Sequence, residues 1–409
     1  MFGQTHDDNR AFLTGNVPLV AVLREALSRD AVQRRVCDRR EAERRVKQAL
    51  QNVHRFLEDG ATDPGYLPPE RLIVFDEAQR AWDEAKAKLG TRNRPSRLTA
   101  SEPAHTLEIM GRREGWAVII ALIGNGQEIN TGEAGLGEWG RVIAADPRWR
   151  AVAANRVVGA AEPSQRLAEA DARWLTCDDD LDLTVPMRSV RDTAGAAWVD
   201  AVLRDESSAA RTIAAEAPDL AYFVTRDITA WRRALRRLAR GQRRAGLVGS
   251  SGAKRLRAEG LAAEVGGGDV PDWFLRRWPD IRASDALETA ATEYACQGLE
   301  LDVVGLAWGG DFRRSPDGWR AWRFIGQNWQ RDLKEIEFVR NTYRVLLTRA
   351  RYETVIWVPP GSQPDDLFHD VTRPASQMDA IAAHLLACGA RALEDEAAIP
   401  TASSSPLLP

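Results

Sequence analysis

Two adjacent carboxylates stand where this sequence could do chemistry. In Arg71-Leu72-Ile73-Val74-Phe75-Asp76-Glu77-Ala78-Gln79-Arg80 an apolar run delivers Asp76 and Glu77 together. Open α/β sheets bind ligands at the carboxyl ends of their strands, and this pair falls there. In a Walker B arrangement the first acid holds Mg²⁺, directly or through water, and the second polarises the attacking water. The same residues also suit a plain strand followed by an acidic helix start, where Asp and Glu favour the dipole. A second apolar run, residues 116–123, ends in Gly124-Asn125-Gly126-Gln127-Glu128-Ile129-Asn130. Its glycines permit a sharp turn close to a ligand, and Gln127 can both donate and accept hydrogen bonds. A polar surface turn has the same composition.

Farther along come Thr292-Glu293-Tyr294-Ala295-Cys296-Gln297-Gly298-Leu299-Glu300-Leu301-Asp302 and Asn341-Thr342-Tyr343-Arg344-Val345-Leu346-Leu347-Thr348-Arg349-Ala350-Arg351. If the second is helical throughout, Arg344 and Arg351 share a face and Arg349 lies just off it. An arginine presented to phosphate stabilises developing charge bidentately. Arginine is common here, fifty-one against five lysines, so a solvated basic helix is the competing reading. One stretch concentrates it. Residues 226–257 hold ten Arg, one Lys and a single acid, Asp227. Trp231, Leu235 and Leu238 form an apolar stripe there, flanked by Arg232, Arg233, Arg236, Arg237, Arg240, Arg243 and Arg244. The pattern fits a local phosphate footprint or an exposed solvated face. Among the 14 Trp, Trp139, Trp308, Trp322 and Trp329 are candidates for base stacking.

The elements that must position these residues are those of parallel α/β architecture: short apolar runs alternating with amphipathic stretches. Strands are expected at 11–14, 71–75, 117–123, 222–225, 246–249, 302–307 and 354–358. Several are continuously apolar, as strands covered on both faces are. Helices are expected at 18–35, 42–58, 78–88 and 230–244, with Pro18 in a first turn and Thr229 as an N-cap. Residues 177–182, Cys-Asp-Asp-Asp-Leu-Asp, suit a joint between two halves, and the chain from 392 reads as a disordered tail.

Length and composition bound the rest. The 409 residues suit two or three domains, and the net charge of −3 excludes any global attraction to nucleic acid or membranes. Four cysteines and five histidines are scattered without a CxxC pair, which leaves neither a disulfide framework nor a zinc cluster. Without an apolar run of about 18 residues or a signal-peptide core, the expectation is a reduced, cytoplasmic protein with no membrane partner.

Taken in order, these motifs resemble a superfamily 1 helicase motor, and specifically the Schlafen group 3-like DNA/RNA helicase domain family. Phe12–Asn16 with Pro18-Leu19-Val20 resembles motif Ia, DEAQR motif II, GNGQEIN motif III, ACQGLELD motif V and YRVLLTRAR motif VI. The likeness runs from about Ala11 to Gly361. It implies two RecA-like parallel-sheet lobes, residues 1–176 and 177–391, acting with ATP and Mg²⁺ on single-stranded DNA or RNA. It further implies that Asp76 ligates Mg²⁺, Glu77 is the catalytic base, Gln127 senses the γ-phosphate and Arg349 contacts it. Gln79, Gly298 and Glu300 would serve the nucleotide, and Gln297 the strand. Arg188 or Arg191 would be the motif IV arginine. Arg233, Arg236, Arg237 and Arg240 are the nucleic-acid candidates of the basic stretch.

One departure from the family matters. A P-loop needs G-x-x-x-x-G-K-[ST], so that backbone N–H groups, Lys and Ser/Thr hold phosphates and metal. Lys47, Lys86, Lys88, Lys254 and Lys334 all lack a preceding Gly and a following Ser or Thr. The expectation is a chain that starts after the P-loop, whose first lobe lacks that strand and helix. Such a chain is either an inactive motor as written or a non-catalytic nucleic-acid-binding module.

Overall fold

The computed structural model describes residues 10–90, 96–124, 134–160, 165–169, 171–183, 191–263, 265–333 and 335–393. The chain divides into two compact units, residues 1–186 and 187–409.

In the first unit, β1 (Arg10–Thr14), β2 (Leu50–Asn52), β3 (Leu72–Phe75) and β4 (Val118–Ala121) form a parallel sheet ordered β2-β1-β3-β4. A separate parallel pair joins β5 (Ala151–Ala153) to β6 (Leu175–Cys177). The helices are α1 (Val17–Gln33), α2 (Arg39–Ala49), α3 (Val53–Thr62), α4 (Glu84–Leu89), α5 (Glu102–Met110) and α6 (Gly135–Ala145). Leu13, Ile73 and Phe75 from the inner strands meet Phe56, Leu57, Ile109 and Trp139 from the helices in one core. β4 is an edge strand, and its Val118 and Ile120 are 40% and 43% exposed.

Two helix expectations in this unit are corrected. Residues 42–58 are not one helix: α2 ends at Ala49, β2 intervenes, and α3 begins after Asn52, whose side chain caps Arg55 N at 3.3 Å. Pairing with β1, from Phe12↔Leu50 to Thr14↔Asn52, outweighs the helical pattern. Residues 78–88 break as well. Only one 3₁₀ turn, Ala78–Arg80, forms after Glu77, and the Glu102 carboxylate then holds Trp82 N at 2.8 Å. The chain re-enters a helix at α4, capped by Asp83.

The second unit has a seven-stranded parallel sheet ordered β16-β7-β15-β11-β8-β10-β9. Its strands are β7 (Tyr222–Thr225), β8 (Ala245–Gly249), β9 (Ala262–Ala263), β10 (Thr289–Ala291), β11 (Leu301–Ala307), β15 (Ala350–Trp357) and β16 (Arg391–Ala392). An antiparallel insert follows β11: β12 (Phe312–Ser315), β13 (Gly318–Ile325) and β14 (Asn328–Arg331). Covering helices include α7 (Arg191–Leu203), α8 (Ser207–Glu216), α9 (Ile228–Leu238) and α10 (Val270–Leu275). The others are α11 (Glu293–Cys296), α12 (Ile336–Leu347) and α13 (Ala375–Ala387). The inner strands β8 and β11 are almost wholly buried, as strands covered on both faces must be.

Here too the structure corrects the sequence reading. α9 stops at Leu238, well before residue 244, and its N-cap is Asp227, which accepts Thr229 N at 2.7 Å. α12 ends at Leu347, so Arg349 lies beyond it and Arg351 stands on β15. The shared helical face expected for Arg344 and Arg351 does not exist. Among the described residues, no helix is long and apolar enough to cross a membrane.

Candidate functional site

β3 ends where the sequence places its carboxylates. Asp76 N donates to Leu13 O at 2.8 Å, extending the β1–β3 ladder by one residue, and the Thr14 hydroxyl bonds the Asp76 carboxylate. Burial, reinforced by the neighbouring Glu77 charge, raises the Asp76 carboxyl above its ordinary range. Glu77 has φ 51° and ψ 45°, the left-handed region that costs a non-glycine residue energy and that clusters at functional turns. Its carboxylate pairs with Arg80 at 2.7 Å. The surroundings over-determine this turn. Ala78 N donates to Leu122 O at 2.9 Å, and Trp139 Nε1 donates to Ala78 O at 2.8 Å. Gln79 is buried, and its Oε1 accepts Gly124 N at 3.2 Å. The acidic turn is therefore clamped to the carboxyl end of β4. The Gln79 Nε2 has no partner among the described residues.

Two residues of this edge belong to no motif in the sequence. His54 Nδ1 bonds the buried Glu102 carboxylate, and its ring stacks on Trp82 with centroids 3.9 Å apart. The Glu102 carboxylate also fixes Trp82 N. The one available hint was polarity inside otherwise helical runs, since His54 and Glu102 are separated by 48 residues.

In the second unit the stretch Gln297–Glu300 connects α11 to β11, and Arg349 leads into the neighbouring β15, with Leu301 paired to Ala350. Both fall at the amino ends of these strands. Gly298 has φ 74°, a conformation that favours glycine. Glu300 pairs with Arg351 at 2.9 Å, while Arg344 pairs with Asp200 of α7 at 2.7 Å. Arg349 is half-buried, and its Nε donates to Val345 O at 3.3 Å. Burial pushes the Cys296 thiol up to about 11 against the opposing pull of the Arg349 charge. The β11–β15 pairing brings the two motifs together. Gln127 and Arg188 lie outside the described residues, and Arg191 begins α7 with its side chain outside them.

At the opposite, carboxyl edge of this sheet, sequence reasoning missed two buried carboxylates. Glu293 accepts Ser251 Oγ at 2.6 Å, and Asp311 accepts Ser250 Oγ at 2.5 Å and Tyr343 Oη at 2.8 Å. Burial raises both carboxyls above the ordinary range. The loops after β8 and β11 are thereby locked to α11 and α12.

α9 buries Trp231, Ala234, Leu235 and Leu238 and exposes Arg233 and Arg236, with Arg237 half-buried; Arg240, just beyond its end, is exposed. Among the described residues, none of these four guanidiniums pairs with a carboxylate. The four tryptophan candidates now separate. Trp139 and Trp308 are core, while Trp322 and Trp329 are half-buried on the antiparallel insert, with the Arg313 guanidinium 4.8 and 4.6 Å from their rings.

The family described as Schlafen group 3, DNA/RNA helicase domain, matches residues 2–360. The chain belongs to this family. No curated protein matches it. Membership makes this a helicase-like domain with nucleic acid as its general partner class. A magnesium–nucleotide group fits the residues of this Schlafen group 3 domain unevenly. Mg²⁺ is usually held by one or two carboxylates plus substrate phosphates, which the half-buried Asp76 and the orphaned Gln79 amide at the strand ends suit. The described residues contain no cluster of three acidic, His or Cys ligands that would hold the metal without phosphates. No Gly-Lys-Ser/Thr, the motif that cradles phosphate in a P-loop, occurs in the 409 residues.

Proposed function

We propose that this Schlafen group 3 domain is a superfamily 1-type motor core that engages single-stranded DNA or RNA. As these 409 residues stand, it is a binder and not a working ATPase. The observation that carries the motor reading is the Asp76–Arg80 turn. A half-buried carboxyl, a left-handed glutamate and an orphaned buried amide meet there at the carboxyl end of β3. The family resemblance assigns Asp76 to metal, Glu77 to the attacking water, Gln127 to γ-phosphate sensing and Arg349 to transition-state charge. Arg188 or Arg191, Gly298 and Glu300 complete the nucleotide set. None of these roles operates without a phosphate cradle, so no hydrolytic step is assigned to this chain. The strand-binding role rests on Arg233, Arg236, Arg237 and Arg240, with Gln297 as a further contact.

Steady-state ATP turnover with saturating single-stranded DNA and Mg·ATP tests the first half. A rate of order 1 s⁻¹ or more, typical of working enzymes, contradicts it. Fluorescence titration with labelled single-stranded DNA and RNA tests the second half. Saturable binding that weakens with salt is expected, and no binding at low salt removes it.

A further inference from the structure

Large apolar side chains are normally hidden, yet in the second unit Trp278 is 65% exposed and its neighbour Ile281 69% exposed. Both lie in the loop between α10 and β10, Arg276-Arg277-Trp278-Pro279-Asp280-Ile281-Arg282. This loop is held firmly. Trp278 N donates to Asp285 Oδ1 at 2.9 Å, and Asp280 N donates to Arg277 O at 3.1 Å. Arg276 and Arg282 both grip the Asp280 carboxylate at 2.9 Å. Among the described residues, the indole stacks on no other ring. An ordered backbone therefore presents an apolar ring that the unit itself does not bury.

The loop is joined to the basic stretch. Arg277 Nη1 donates to Gln242 O at 3.3 Å, and its Nη2 donates to Arg243 O at 3.2 Å. Those carbonyls belong to the turn that follows α9, which is closed by Arg243 N donating to Arg240 O at 3.3 Å. The two elements differ in charge. Arg276, Arg277 and Arg282 of the loop are paired with Asp272, Asp280 and Asp285. Arg233, Arg236, Arg237 and Arg240 meet no carboxylate among the described residues. One element offers charge, and the loop bonded to its end offers a bare ring.

We infer that Trp278 is a stacking platform for one unpaired base of a single strand whose phosphates follow the arginines of α9. This rests on the strand-binding reading above and names a contact that reading leaves out. Single-strand grooves combine a basic track with aromatic faces, and every base has a face to stack. The paired, solvated loop adds no net charge of its own, so its contribution to such a groove is the ring.

Fluorescence anisotropy with a labelled single-stranded DNA and an abasic strand of equal length tests the assignment. Trp278→Ala should weaken binding of the base-bearing strand about five- to 150-fold, the worth of one stacked base. Its affinity for the abasic strand and its salt slope should match wild type, because no phosphate contact is lost. Trp278→Phe should recover much of the loss. Wild-type affinity in Trp278→Ala overturns the inference and leaves the strand-binding reading standing. Equal weakening on both strands also overturns it, since that marks a purely structural role. If the unaltered chain binds neither strand at low salt, the inference falls together with the reading.

Discussion

α2 and α9 are both arginine-rich surface helices, and they do opposite things with their charge. In α2, Arg39 is bound by Glu25 and Glu43, each at 2.5 Å, while Arg44 and Arg45 share Glu41 at 2.7 and 2.6 Å. The hydrogen bonds from Arg44 and Arg45 pull the Glu41 carboxyl down to about 2. In and just after α9, Arg233, Arg236, Arg237 and Arg240 meet no carboxylate among the described residues. Counting arginines would rank the two alike. What separates them is whether an acid sits three or four residues away, because such pairs neutralise each other locally and leave little field for phosphate. The helices also differ in anchorage. α2 buries only Ala42 and Val46, whereas α9 buries Trp231, whose Nε1 donates to Val355 O at 2.9 Å.

The largest expected effect tests that anchorage. Trp231→Ala should cost about 3–5 kcal/mol in a chemical denaturation series, far more than Val46→Ala, because it empties a large core site. Comparable losses for the two would erase the distinction.

Next comes the charge itself. Replacing Arg233, Arg236, Arg237 and Arg240 with Gln should weaken binding to every sequence. The log–log salt slope should fall by about 0.7 to 0.9 for each phosphate left without its arginine. The matching change at Arg39, Arg44 and Arg45 should leave the slope unaltered. An unchanged slope in the α9 variant would show a solvated face.

A smaller effect runs the other way. Glu41→Gln releases Arg44 and Arg45 from their shared partner, so α2 should gain a weak, salt-sensitive attraction for nucleic acid. The expected rise in slope is at most that of one or two neutralised phosphates. No rise would mean that pairing is not what silences α2.

The smallest effect contrasts two carboxylates. Glu41 is held down by arginines, whereas Asp76 is raised by burial and by Glu77. A raised carboxyl contributes stability below its unfolded value, near 3.8, and loses it as pH rises through the folded value. Asp76→Asn should therefore raise the melting temperature by a few degrees at neutral pH. The gap to wild type should close on acidification toward pH 4. A variant less stable than wild type at neutral pH would contradict the burial cost.

Much of the scaffold was legible because inner strands of a parallel sheet must be apolar on both faces. Runs such as Leu72–Phe75 and Tyr222–Thr225 announce themselves without any knowledge of their neighbours. Leu50-Gln51-Asn52 does not. It is three residues long, two of them polar, and becomes a strand only because β1 supplies its ladder. Glu77 fails to continue into a helix for a similarly distant reason, since Ala78, Gln79 and Trp82 are held by Leu122, Gly124 and Glu102. The insert β12–β14 was readable in principle from the alternation in Gly-Trp-Arg-Ala-Trp-Arg-Phe-Ile, yet its length suggested no break in the parallel pattern.

The sequence by itself determined which residues could do chemistry: the Asp76–Glu77 pair, the Gln-Gly-Leu-Glu and Thr-Arg-Ala motifs, the dense arginines, and the lack of a Gly-Lys-Ser/Thr. Those are matters of residue type and short spacing, which need no fold to be seen. Only tertiary structure decided which histidine meets a buried glutamate. It also decided that Arg351 sits on a strand. Each depends on groups tens of residues apart in the chain. Burial and electrostatic pairing act through distance in space, so no pattern of local spacing could have expressed them.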